Sequence, residues 1–169
     1  MYFSKATVLF SIITLSAAGP ITHKKRADVL TTKSYADFQV SDGIAGNALA
    51  EVNANFPIDQ TDLAGVSDND LSVIKAARVV AEDAETGTGG FNDEIAAASG
   101  DTIALQNGKI KNKVLKLQLE VLALQIAAAQ GDGDQAKIDE ETTKLNNNIA
   151  LDKKAAGQDS VGVTATFSG

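Results

Sequence analysis

Cysteine and tryptophan do not occur in this chain of 169 residues, and histidine and methionine occur once each, as His23 and Met1. Without cysteine there are no disulfides and no thiolate metal sites, so the fold has to rest on burial and hydrogen bonding alone. Aromatic residues make up only 5% of a chain that is 44% hydrophobic. Ala, Leu, Val and Ile therefore build the core, a composition that favours closely approaching helices. Proline is nearly absent, and none falls between residues 101 and 130. Positive charge is also short, with 15 Lys and Arg against 22 Asp and Glu, or −7 overall. An acidic chain repels nucleic-acid phosphate and anionic membrane surfaces, which excludes both as expected partners.

What is present begins with an N-terminal pattern. Lys5 supplies a positive start, residues 6–15 an apolar run, and Ser16-Ala17-Ala18 a small-residue cleavage site, so residues 1–18 read as a secretory signal peptide cut after Ala18. The competing reading is a membrane anchor, but the run falls short of the roughly 20 apolar residues a bilayer requires. Next comes His23-Lys24-Lys25-Arg26, whose basic triplet resembles a dibasic processing site of the kexin type; otherwise it is a solvated charge run. Its position predicts a pro-segment over residues 19–26, removed after Lys25-Arg26. Processing would take away Lys5, Lys24, Lys25 and Arg26 and no acid, leaving 11 bases against 22 acids, or −11. His23 and Met1 would leave with them. No Asn-x-Ser/Thr sequon occurs, so N-glycosylation is not expected.

The mature part, residues 27–156, is predicted to be one all-α domain, a bundle of four to five helices around a long central one, followed by a loose tail over residues 157–169. The central helix is expected over residues 101–130. Ile103, Ile110, Leu117 and Leu124 recur every seven residues with Val114, Val121 and Ala128 between them, which is one apolar stripe. Leu115, Leu119, Leu122 and Ile126 form a second, roughly 150° away at about 100° per residue. A helix apolar on two faces has to be covered on both, with Lys109, Lys116 and Glu120 left on the wet strip.

Before it, Ser34 and Asp37 resemble a capping box opening a first helix, in which Tyr35, Phe38, Ala45, Leu49, Val52 and Phe56 share a face. Gly43 and Gly46 either break this segment in two or admit a close neighbour, and Pro57 ends it. Ser67 is placed to cap a second helix whose buried stripe is Leu71, Ile74, Ala77, Val80 or Ala81, and Ala84. A short third helix over residues 92–99 follows, bringing Phe91 and Ile95 towards the core. After the break at Gly131-Asp132-Gly133-Asp134, a helix over residues 135–156 returns antiparallel. The tail alternates Val161, Val163, Ala165 and Phe167 as a strand would, with no second strand evident for it to pair with.

The stretch SDGIAGNALAEVNANFP, residues 41–57, resembles a pattern of small secreted proteins of filamentous ascomycete fungi, most of them without an assigned activity. Together with the signal peptide and the Lys-Arg site, the resemblance implies a secreted fungal protein and carries over no catalytic residue.

Processing would leave no His or Cys, which removes a His-based serine triad, a cysteine protease site and a His-ligated zinc site. Carboxylates, Lys, Tyr35 and hydroxyls remain, and no nucleophile has a base beside it. No catalytic residue, cofactor or metal is expected. Asp132-Gly133-Asp134 and Asp68-Asn69-Asp70 bunch oxygen ligands, but from Asp132 the fifth and sixth positions are Ala136 and Lys137, which breaks the EF-hand pattern. They read instead as turn and cap residues. Residues 87–90, GTGG, lack the trailing Lys-Ser/Thr of a phosphate loop. Asn107 shares a stripe with Val114, where a coiled coil sets register, yet one short repeat fits intramolecular packing and a monomer. The expected function is that of a secreted, extracellular, non-enzymatic protein acting through its surface on an unknown protein or cell-surface component, as a host-facing effector or in association with the cell wall. The alternative is a carrier that holds a lipid or other apolar ligand along the stripes of the bundle.

Overall fold

The computed structural model describes residues 24–167, so the signal-peptide segment, Ala18 and His23 lie outside the described residues. The fold is all-α. A one-turn helix α1 (Tyr35–Phe38) is followed by α2 (Ala48–Asn55), α3 (Asp68–Thr86), α4 (Phe91–Ala97), α5 (Ile103–Ala129) and α6 (Gln135–Lys154). Two short strands, β1 (Gly43–Ile44) and β2 (Asp159–Ser160), pair antiparallel with Gly43 opposite Ser160 and Ile44 opposite Asp159.

The central rod is α5, and its two apolar faces meet different partners. Leu115, Leu119, Leu122 and Ile126 join one core with Ile74, Ala77, Ala81 and Ala84 of α3 and with Phe38, Val52 and Phe56. Val114, Leu117 and Val121 form a second, smaller core with Ala48 of α2 and Leu145 of α6. Burying both faces keeps all 27 residues of α5 in one helix, because most helical stability in a protein comes from packing an apolar face. The stripe breaks down towards the N-terminus: Ile103 is 57% exposed, while Asn107, Lys111 and Asn112 are buried in its place. Lys116 and Glu120, expected on a wet strip, pair instead with α3, through Lys116–Glu85 at 2.6 Å and Glu120–Arg78 at 2.9 Å.

The segment expected as a first helix is broken in two. Gly43 and Gly46 take φ of 91° and 116°, left-handed values that glycine adopts at no steric cost. Gly46 also meets the second alternative, since a Cβ there would stand 2.7 Å from that of Ala156. Ser34 does not close a capping box: its Oγ donates to the Asp37 carboxylate at 2.6 Å rather than accepting from the helix. The N-terminus of α2 is capped from across the fold, by Asp152 of α6, which accepts from Gly46 N at 2.8 Å and Ala48 N at 2.9 Å. Elsewhere the local rules hold. Ser67 accepts from Asp70 N at 3.0 Å, Asp134 accepts from Lys137 N at 3.1 Å, and α2 stops at Asn55, two residues before Pro57.

The alternating residues Val161, Val163, Ala165 and Phe167 form no strand; the pairing falls just ahead of them, at Asp159–Ser160, where the break at Gly43 leaves β1 to meet β2. Lys111, fully buried, pairs with Glu51 at 2.9 Å and donates to the carbonyl oxygens of Asp42 and Ile44 at 2.9 and 3.3 Å. Asn107 donates to Asp159 O at 2.9 Å, so it anchors β2 rather than setting a coiled-coil register. Beyond β2, Val161 N donates to Ala104 O and Gly162 N to Asp42, while Val163 and Phe167 pack on the larger core.

Candidate functional site

The lead-in to α1 is not a free arm. It crosses the N-terminal end of α3, where the buried Asp70 carboxylate accepts from Leu30 N at 2.8 Å and Val29 N at 3.0 Å. Asn69 donates to Leu30 O at 3.3 Å. An acid at a helix N-terminus is favoured by the dipole, and here the same acid also bonds a neighbouring strap. Further upstream, Arg26 N donates to Gly65 O at 2.7 Å, and its guanidinium reaches Asp59 at 3.1 Å and Asp62 O at 2.9 Å. Lys25 pairs with Asp68 at 3.2 Å. Thus both residues of the predicted processing site rest on the loop between α2 and α3 and on the start of α3. Thr61 bonds to Asp59 and, with the Arg26 charge, holds that carboxyl below its usual range.

Between the strap, anchored by the buried Leu30, and α3 lies a cavity of about 530 Å³. Val29, Leu30 and the polar run Thr31, Thr32, Lys33 and Ser34 form one wall. Val73, Ala76, Ala77 and Val80 of α3 line it too, together with Phe38, Phe56, Pro57 and Phe167 of the tail. The aromatic rings form a chain of edge-to-face contacts, Phe38 to Phe56 at 5.8 Å, Tyr35 to Phe38 at 5.7 Å and Tyr35 to Phe167 at 5.4 Å. Asn55 closes the join between α2 and α1 by donating to Phe38 O at 2.9 Å. Tyr35, weighed above as a remaining reactive group, does not line the cavity. Its hydroxyl donates to Asn112 at 2.8 Å, whose amide donates to Ala81 O, and burial with the nearby Asp42 charge pushes its pKa up to about 12.

The cavity lies away from the place where a carrier was expected. No residue of α5 lines it, because both stripes of that helix are filled by α3, α2 and α6. Residues 27–32 carry no helical period and read from sequence as an extended lead-in, which they are; what sequence reasoning missed is that the lead-in is tied down. The signal there was the pairing of Val29-Leu30 with Asp70, an acid assigned only to the start of its own helix.

A second concavity, of about 310 Å³, runs between α3, α5 and α6 and is lined almost wholly by charge. Arg78, Lys116, Lys137 and Lys144 face Glu82, Glu120 and Glu141 in it. Glu141 pairs with Lys144 at 3.0 Å and Lys137 at 3.3 Å; burial raises its pKa, but these two bonds and charges more than reverse that and leave it below the ordinary value. Glu85, close by, behaves alike under Lys116, Lys113 and Lys109. These groups satisfy one another. Among the described residues no three acidic or histidine side chains gather where a metal could be held. Of the acids weighed as calcium ligands, Asp134 caps α6, Asp70 holds the strap and Asp68 pairs with Lys25. No helix among the described residues is long and apolar enough to cross a membrane.

Fold and site together define a class: a helical bundle with a chain-spanning central helix and an apolar cavity bordered by an extended strap. The chain belongs to the family described as Domain of unknown function (DUF8454), whose model matches residues 30–164. That span takes in the whole bundle and every cavity wall except Val29 and Phe167. Comparison with curated proteins and with solved structures yields no match.

Proposed function

We propose that this protein is an exported, non-enzymatic binding protein that takes an apolar small molecule into the cavity beside the strap. The observation that carries the reading is the cavity itself. Its volume falls within the roughly 300–1,000 Å³ of ordinary ligand sites, and like them it is mainly apolar with a few polar groups at one side. It is also about three to four times the ~150 Å³ that accommodates benzene in an engineered apolar cavity. Export is supported by the signal-peptide pattern of residues 1–18 and by the Lys25-Arg26 site, and the fungal resemblance of residues 41–57 points the same way. Action through the outer surface, the other binding reading, shares this setting.

The test uses the neutral dye phenylnaphthylamine, whose emission rises in apolar surroundings, with native mass spectrometry of protein recovered from culture medium. One dye should bind per chain, with dodecanol displacing it, and the mass should report the mature N-terminus. Ala76→Phe, at an exposed position on the α3 wall, should weaken the dye at least tenfold while leaving the helical circular dichroism unchanged. A dye that stays dark, with no adduct after exposure to dodecanol, sinks the cavity reading.

A further inference from the structure

We infer that the ligand is an anionic amphiphile, a single hydrocarbon chain ending in a carboxylate or a group of like charge, whose head sits at Lys33. This rests on the reading that the cavity binds an apolar molecule, and it adds the sign and position of the head. The chain carries 22 acids against 15 bases, so a cavity lined at random would show carboxylates first. It shows none: Lys33 is the one charged side chain among its lining residues. Lys33 is exposed and takes part in no ion pair among the described residues, so its ammonium is free to meet a ligand.

The polar edge around it offers donors. Thr31 and Thr32 add hydroxyls, and the backbone N–H groups of Thr31, Thr32 and Lys33 meet no protein acceptor among the described residues. The two carboxylates bonded to this stretch are both engaged, Asp70 by Val29 and Leu30 and Asp37 by Ser34, and neither lines the cavity. The remaining lining is mainly Phe, Val and Ala. The hydroxyls and backbone groups of this edge can serve a donor or an acceptor, so the sign of the preference rests on Lys33: a cationic head would meet like charge there, whereas an anion gains a charge-assisted hydrogen bond.

Isothermal titration of the full folded chain at pH 8 with dodecanoate, dodecyl phosphate, dodecanol and dodecyltrimethylammonium separates the cases. Both anions should bind about three- to tenfold more tightly than the alcohol, as a rim charge pair and one charge-assisted bond allow. Lys33→Glu should cancel or reverse that preference, and Lys33→Arg should keep it. Equal binding of acid and alcohol, unaltered by Lys33→Glu, overturns the head-group assignment while leaving the cavity reading intact. Preference for the ammonium surfactant overturns it in sign. If none of the four binds, both readings fall.

Discussion

Several of the residues that decide this fold are polar groups buried where an apolar one would be expected. Asp152, Lys111, Asn107 and Asp70 each reach from a long helix to backbone outside the helices, at Gly46, Asp42, Asp159 and Leu30. A buried backbone group without a partner costs on the order of 1–3 kcal/mol, so these side chains make the irregular segments tolerable inside the molecule. Gly108 serves the same end by having no side chain. A Cβ there would stand 1.9 Å from Val161 O, and Val161 is the residue whose N–H bonds Ala104 O at 3.0 Å. Gly108→Ala should therefore push the tail off α5 and cost about 1–3 kcal/mol, the range for overpacking a filled site. Thermal unfolding measures the cost, and hydrogen exchange at the Val161 amide should quicken with it. An unchanged melting point would mean that the tail carries no stability.

At the scale of elements, the helices that obey one period were legible and the segments held by distant partners were not. The two stripes of α5 from Val114 onward and the buried run of α3 follow from spacing alone, whereas the N-terminal part of α5, where Ile103 is exposed and Lys111 buried, does not. The Ser67 cap was legible too, since a cap needs only its next three residues. The break into α1, β1 and α2 was visible in Gly43 and Gly46 as a choice between two outcomes, but pairing with β2 depends on residues more than a hundred positions away. Nothing local in Asp70 says that it will bond Val29 and Leu30, and so the extended course of residues 27–32 was legible but its anchoring and the cavity beside it were not. The strap has a consequence for processing. Cleavage after Arg26 requires a protease to draw the chain into an extended form, yet Arg26 is engaged by Asp59, Asp62 and Gly65, and Leu30 is buried just downstream. Proteases act on such a bond through local opening. The folded chain beginning at residue 19 should be cut there by trypsin far more slowly than the same chain in urea. Asp59→Asn with Asp62→Asn should speed cleavage several-fold without loss of helix, since it removes the two exposed carboxylates that face the Arg26 guanidinium. Equal rates for folded parent, folded variant and unfolded chain would show that the clasp protects nothing.

The whole molecule is an acidic bundle whose long helices are tied to one another by charge. Glu85 on α3 meets Lys116 and Lys113 of α5, Glu120 on α5 meets Arg78 of α3, and Glu141 meets Lys137 and Lys144 on α6. Exposed pairs contribute little singly, but Glu85 and Glu141 are buried and their pKa values are lowered by their lysine partners despite burial. A carboxyl with a lower pKa in the folded chain than in the unfolded one binds its proton more weakly when folded. Its contribution is then complete above the unfolded value, about 4.3 for Glu, and disappears as the pH falls through the folded value. Tyr35 has the opposite shift and acts at the other limit. Its folded value of about 12 lies above the ordinary 10, so the unfolded chain loses that proton first and stability declines as the pH climbs from about 10. The melting temperature should thus be level between about pH 6 and 9, fall below about pH 4 and fall again above about pH 10. Glu85→Gln with Glu141→Gln should lower the plateau and flatten the acid limb, and Tyr35→Phe should flatten the alkaline limb alone. If the double variant keeps the parent's full acid dependence, those two pairs do not govern it, and the bundle's acid stability has to be sought among its remaining carboxylates.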